Sequence, residues 1–221
     1  MNEKKMNVYS SEEDIFAALD EILDALGGGA NASLPAPEVV STYVLDAERK
    51  LFLGAVVDLN IIEVTKRIIR WNMEDRGVPK EDRKPIWLYM MNYGGSADYM
   101  WQLIDVIEAS ETPVYTVNIG MCASAAALIF MAGHKRFMFK RSYLMIHEGG
   151  NNIGGDAQKV LDASDSYKKM LKAMRAFILE HTKIPASTLS RKKNNDWELD
   201  SAYCLEFGVC DVIANTISEV I

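Results

Sequence analysis

Residues 113–133, PVYTVNIGMCASAAALIFMAG, decide the fold class. Pro113 opens a run of β-branched and aromatic residues, Val114 to Ile119, that reads as a strand, and Gly120 ends it. Ser124 then stands ahead of Ala125-Ala126-Ala127-Leu128-Ile129-Phe130-Met131, which is apolar on every side and reads as a helix buried in a core. A strand, a short turn and a helix form the repeating unit of a layered α/β protein. The apolar run is far shorter than the roughly 20 residues that cross a bilayer.

The same alternation extends both ways. Upstream, Ile86 to Met91 reads as a strand, Asn92-Tyr93-Gly94-Gly95 as a turn, and Ser96 as the N-cap of a helix reaching about Ser110. Leu51-Phe52-Leu53 and Ala55-Val56-Val57 read as a strand pair around Gly54, followed by a helix over Ile61 to Trp71 and a charged loop, Glu74 to Lys84. Downstream, Arg136 to Phe139 and Tyr143 to Ile146 read as strands. A long helix is expected from Asp156 to about Thr182, because Val160, Leu161, Tyr167, Met170, Leu171, Met174, Phe177 and Ile178 recur at three- and four-residue steps. That stripe is wide enough to take a partner helix. Near the start, residues 12–26 read as an acidic amphipathic helix with a capping box at Ser10 and Glu13, ended by Gly27-Gly28-Gly29 and a linker to Pro37. The expected organisation is an arm, 1–37, ahead of one domain, 38–221. Periodicity leaves open whether that first helix packs on its own domain or serves as a removable or partner-binding arm.

Composition narrows the function classes. Apolar residues make up 49% of the 221 and charged residues 25%, the balance of a soluble globular chain. A net charge of -7 argues against nucleic-acid or anionic-membrane partners. Cys122, Cys204 and Cys210 give neither a disulfide framework nor a paired zinc spacing, so no metal is expected. The first residues, MNEKKMNVYSSEEDIF, lack the apolar run of a secretory signal, and a cytoplasmic setting is expected.

Five elements carry potential chemistry. Ser124 sits at a strand-to-helix junction, where helix N–H groups point and small neighbours admit a peptide; a hydroxyl there needs a base to become a nucleophile, and read alone it also fits a plain N-cap. Gly94-Gly95 exposes backbone N–H groups at a second such junction, suited to an oxyanion or to an added strand, and equally to an ordinary turn. Of the three histidines, His134 falls in a turn and His181 at a helix end, whereas His147 ends an apolar strand, a rigid seat for a base working near pH 7. A carboxylate must orient such a base, and Glu148, Asp196, Asp200 and Asp211 are all candidates on composition. Cys122 is a weaker rival nucleophile, since nothing nearby lowers its pKa.

In this order the pieces resemble the Clp protease proteolytic subunit (ClpP) family of serine peptidases. The matching stretches are ERKLFLGAVV (48–57), LYMMNYGGS (88–96), IGMCASAAALIFMAG (119–133), MIHEGG (145–150) and DWELDSAYCLEFGVCD (196–211). The resemblance implies the ClpP/crotonase-like fold, a spiral of βαβ units with a projecting handle helix, here about 156–182. It implies Ser124 as nucleophile, His147 as general base, Asp196 as its orienter, and the N–H groups of Gly95 and Ala125 as the oxyanion hole. Gly94, Gly149 and Gly150 would bind substrate as an added strand. By the same match the partners are copies of this chain, in two stacked seven-membered rings, a ring-shaped AAA+ unfoldase, and unfolded polypeptide; no cofactor is implied. Trp87, Tyr89, Val117, Ile119, Phe137 and Phe139 match the ATPase-docking positions, paired two apart on strands so that each pair shares a face. The chain departs from the family at Asn92-Tyr93, where the family has Ser-Pro, at Glu148-Gly149, where it has Gln-Pro, and at Asn194-Asn195, where it often has a charged pair. The strand-hairpin after the nucleophile helix is also shorter. The expected activity is ATP-dependent serine endopeptidase. The alternatives are a capsid-maturation peptidase of the same fold, a non-catalytic scaffold subunit, and, least favoured, a crotonase-like acyl-CoA enzyme.

Overall fold

A computed structural model describes residues 37–150, 154–192 and 195–221. The expected helix over residues 12–26 and its linker lie outside the described residues, as does Asn194. Leu45–Ile221 forms one compact unit; the described part of the other, up to Val44, is helical. In chain order the elements are α1 (Pro37–Ala47), β1 (Lys50–Val57), α2 (Asn60–Glu74), β2 (Ile86–Gly95), α3 (Ala97–Ala109), β3 (Val114–Ala123), α4 (Ala125–Met131), β4 (Lys135–Phe139), β5 (Tyr143–Ile146), α5 (Ala157–His181), α6 (Ala186–Lys192), β6 (Trp197–Asp200), α7 (Ser201–Glu206) and β7 (Val212–Ala214).

The strands make one sheet ordered β1-β2-β3-β4-β7, with β5 joined to β3 and β6 joined to β5. Every pairing is parallel except β5 with β6. Parallel neighbours need crossover helices, and α2, α3 and α4 supply them between β1, β2, β3 and β4. This is the mixed α/β, mostly parallel architecture expected of the ClpP fold. Interior strands are covered on both faces, which is why Ile86 through Met90 are all buried and show no polar alternation. All seven residues of α4 are buried, explaining a helix with no polar side. Phe130, Ile129, Met100, Leu103, Ile104 and Ile107 lie at the centre of the main core.

β3 is the pivot of the sheet. Its first half, Tyr115–Asn118, pairs with β4; its second half, Met121–Ala123, pairs with β5. β4 and β5 therefore follow one another along the same edge of β3 and do not pair with each other, so the hairpin expected there is absent. Three further expectations are corrected. β1 is one strand from Lys50 to Val57, with a left-handed Ala55 (φ 58°) at a bulge, and not a pair turning at Gly54. β2 runs on through Asn92-Tyr93-Gly94-Gly95, and β3 runs past Gly120 to Ala123, because neighbouring strands supply hydrogen bonds that local turn residues do not forbid.

Helix α5 is 25 residues long, about 37 Å at 1.5 Å per residue. Asp156 caps it by accepting the Lys159 N–H at 3.0 Å. Only Phe177 and Ile178, near its end, are buried; Phe177 meets Trp101 edge-on at 5.7 Å. Val160 and Leu161 are exposed, so the first part of the apolar stripe seen in the sequence is left open among the described residues.

Candidate active site

Ser124 lies between β3 and α4 with φ 55° and ψ −122°, a conformation that a non-glycine residue adopts at a cost of about 1–3 kcal/mol. Such strain persists only where the surroundings enforce it. Here the Ser124 N–H donates to the Met145 carbonyl at 2.8 Å, extending the β3–β5 ladder by one residue, while its carbonyl accepts the first turn of α4 from Ala127 at 3.0 Å. The hydroxyl is thereby presented beside the end of β5.

His147 is the residue after β5. Its Nε2 stands 2.8 Å from Ser124 Oγ and its Nδ1 3.0 Å from Asp196 Oδ1. A carboxylate can only accept, so Nδ1 carries the proton and Nε2 is left to accept from the serine hydroxyl. The antiparallel register explains the meeting: Ile146 pairs with Trp197, which sets the next residue of β5's chain, His147, opposite the residue before β6, Asp196. Two of the rival carboxylates are engaged elsewhere, and the third makes no hydrogen bond to His147. Asp200 caps α7 through the Tyr203 N–H at 2.7 Å, Asp211 is gripped by the Arg136 guanidinium at 2.7 and 3.0 Å, and Glu148 is exposed. Cys122 is fully buried, and burial pushes its thiol far above the ordinary range, which leaves no thiolate to attack. His134 accepts the Val114 N–H at Nδ1, with burial pushing its pKa down, and His181 ties α5 to Glu108 at 2.9 Å.

A profile of the Clp protease family matches residues 38–216. The chain belongs to the Clp protease family. Among its relatives, ATP-dependent Clp protease proteolytic subunit 2 of Treponema pallidum (strain Nichols) is 31% identical over 138 residues, covering 62% of this chain and 68% of the relative. The proteolytic subunit of Mesostigma viride is 28% identical over 191 residues, 83% of this chain and 81% of its own. Subunit 1 of Frankia casuarinae (strain DSM 45818 / CECT 9043 / HFP020203 / CcI3) is 27% identical over 177 residues, 79% and 80% respectively. The family match and these relatives support a Clp protease family function.

The glycines named in the sequence lie around the same serine. A Cβ on Gly94 (φ 91°) would come within 2.7 Å of both the Ala123 carbonyl and Ser124 Cβ, and 3.1 Å of Ala125 N, so the double-glycine segment lies directly against the Ser124 turn. Gly95 has φ 152°, and Ala125, with its buried side chain, opens α4. In the parallel ladder the Ser96 N–H binds the Val57 carbonyl at 2.9 Å, which turns the preceding Gly95 N–H away from β1. Gly149 and Gly150, just past His147, are exposed, with open space on their Cα atoms, and the Tyr167 hydroxyl donates to the Glu148 and Gly149 carbonyls at 3.0 and 3.2 Å.

Sequence reasoning missed a small, mostly apolar pocket of about 40 Å³ beside His147, walled by Ile146, Leu171, Met174, Ile178, Leu189 and Trp197. Its signal was present in the α5 stripe, which was read as a partner surface alone. Of the six docking positions, Trp87, Tyr89, Val117 and Phe137 form a buried cluster with Ala214 and Val220, and Phe139 packs against it. Tyr89 also donates its hydroxyl to the Val220 carbonyl. Ile119 stands apart, 38% exposed. Among the described residues no group of three or more His, Cys, Asp or Glu side chains is placed to hold a metal, and no helix is long and apolar enough to cross a membrane.

Proposed function

We propose that this chain is a serine endopeptidase acting on unfolded polypeptide by an acyl-enzyme route. The reading rests on one observation: two hydrogen bonds, 2.8 and 3.0 Å long, join Ser124, His147 and Asp196 from three separate strand ends. In the proposed step, Ser124 Oγ bonds to the scissile carbonyl carbon while its proton passes to His147 Nε2. Asp196 holds the Nδ1–H and stabilises the imidazolium. The N–H groups of Gly95 and Ala125 bind the oxyanion. The tetrahedral adduct collapses, the C–N bond breaks, and the imidazolium protonates the leaving amine; a water, deprotonated by His147, then releases the acyl group. Substrate lies as an added strand against Gly94 and Gly149-Gly150, with an apolar side chain in the pocket beside His147.

The proposed working form is a cytoplasmic homo-oligomeric chamber of two stacked seven-membered rings, in which residues 1–37 form an arm ahead of a peptidase domain of 38–221 and α5 serves as the handle. The names of the relatives, proteolytic subunits of ATP-dependent proteases, support an AAA+ unfoldase as partner, with the Trp87–Phe139 cluster and Ile119 at the docking face. The test is hydrolysis of a fluorogenic peptide by the purified full-length chain and by Ser124→Ala, with particle mass measured on both. Turnover by the first alone, on particles of equal mass, supports the reading. Equal turnover would assign it to another residue, and none by either would leave a scaffold subunit.

A further inference from the structure

Two asparagines are the fully buried amides of the sheet. Asn92 and Asn118 are both 0% exposed, and each uses both ends of its side chain. Asn92 Oδ1 accepts the Gly94 N–H at 2.9 Å, and its Nδ2 donates to the Gly54 carbonyl at 3.0 Å. Asn118 Oδ1 accepts the Gly120 N–H at 3.0 Å, and its Nδ2 donates to the Tyr143 carbonyl at 2.9 Å. The device is the same twice over: an Asx turn onto a glycine two residues ahead, and a bond across to the neighbouring strand.

Each bracket sits at a break in register. On β1 the pairing shifts between Ala55 and Val57, where Ala55 is left-handed, and Asn92 takes up the carbonyl of Gly54 just before it. Between β2 and β3, Met90 pairs with Asn118 but Asn92 with Cys122, two steps on one strand against four on the other. Asn118 is also the last residue of β3 paired to β4, and Met121 is the first paired to β5. Beyond Asn92, the Val57 carbonyl receives Ser96 and the Gly95 N–H turns away from β1. Beyond Asn118, β3 follows β5 until Ser124 reaches Met145, two residues ahead of His147.

We infer that Asn92 and Asn118 are positioning residues for the serine centre, Asn92 aiming the Gly95 oxyanion donor and Asn118 carrying Ser124 onto the strand that ends at His147. The inference rests on the reading of Ser124 as nucleophile. An apolar side chain of equal size would fill either site but strip the part-buried Gly54 or Tyr143 carbonyl, and the buried Gly94 or part-buried Gly120 N–H, of its side-chain partner, and free the segment to relax.

The test compares wild type with Asn92→Leu and Asn118→Leu, with Asn92→Ser and Asn118→Ser as the second pair where a leucine variant does not fold, since a hydroxyl can still make the turn bond. Particle mass and circular dichroism establish folding. The expected result for the leucine variants is a fall in kcat of about tenfold or more with KM within twofold. Asn92→Leu should lose affinity for a peptide aldehyde by the same factor, because the hemiacetal oxyanion uses the donor it aims, and Asn118→Leu should slow fluorophosphonate labelling. The serine variants should lie between these and wild type. Folded leucine variants with kcat within twofold of wild type, or a loss confined to KM, would overturn the inference. Amide exchange at residues 92–96 and 118–124 separates it from the peptidase reading. Faster exchange in the matching variant supports the brackets even if wild type fails to label, which would sink the peptidase reading alone; unchanged exchange would overturn the brackets even in an active enzyme.

Discussion

Replacing Gly95 by alanine places a methyl group where the fold has no room. Its Cβ would fall 2.3 Å from the Val57 carbonyl oxygen, 2.9 Å from Val56 Cγ1 and 3.0 Å from Val57 N, at a backbone φ of 152° that L side chains rarely adopt. Two of these three contacts are to strand backbone, which cannot rotate aside as a flexible side chain would. An ordinary carbon–oxygen contact needs roughly 1 Å more than the first of them, so the Gly95 peptide must move by about that distance or twist. A misplacement of about 1 Å costs on the order of 10²-fold in rate, and complete loss of one oxyanion donor about 10²–10³-fold. The expected result is a fall in kcat of at least about a hundredfold, near 3 kcal/mol of transition-state stabilisation. KM should change little, because the donor binds the oxyanion more strongly than the ground-state carbonyl. Steady-state hydrolysis of a fluorogenic peptide measures both, with a thermal midpoint confirming that the sheet survives. A folded Gly95→Ala protein with kcat within threefold of wild type would refute the placement of the donor.

Two further expectations follow from the charged groups. The Asp196 side chain is 72% exposed, so water screens its attraction for the imidazolium toward the lower end of about 1–4 kcal/mol. Asp196→Asn should therefore lower kcat by roughly 10–10²-fold, read by the same peptide assay, and a loss beyond about 10⁴-fold would show that this screening argument fails. Asp75 is buried, accepts two bonds from the Arg49 guanidinium at 2.7 Å and one from the Thr112 hydroxyl at 2.7 Å. The Arg49 hydrogen bond, helped by Thr112 and opposed by burial, holds its carboxyl below the usual carboxylate range. A depressed folded-state pKa means that the unfolded chain binds the proton more readily, so this stability is present above about pH 4 and is lost as pH falls through the folded value. Asp75→Asn should cost about 3 kcal/mol in urea denaturation at neutral pH, with the gap from wild type narrowing below pH 4. A gap that stays constant with pH would contradict the assignment.

The α/β class and most elements were legible because interior parallel strands and a buried helix leave unbroken apolar runs, as in Ile86–Met91 and Ala125–Met131. Where the strands end was not. Gly54, Gly94 and Gly120 look like stops in the sequence, yet each lies within a strand, because partner strands supply the backbone hydrogen bonds and asparagine side chains bridge the irregularities. The short α6, β6 and β7 carry too few residues for a periodic signal. In the site, Ser124 and His147 could be singled out as a strand-to-helix serine and a strand-end histidine. Asp196 could not be separated from Asp200 and Asp211 by residue type, since what distinguishes it is the antiparallel register of β5 and β6, a long-range property. The pocket beside His147 was hidden for a related reason: Leu171, Met174 and Ile178 share one helical stripe with residues that face solvent.

The central claim is that the Ser124 hydroxyl is made nucleophilic by His147. Incubation of the full-length chain with a fluorophosphonate, followed by mass spectrometry of the digested protein, tests it most directly. The account predicts one adduct, on Ser124, formed at least about a hundredfold more slowly in His147→Ala and absent from Ser124→Ala. A wild-type chain that stays unmodified, or one modified on a different residue, would contradict it.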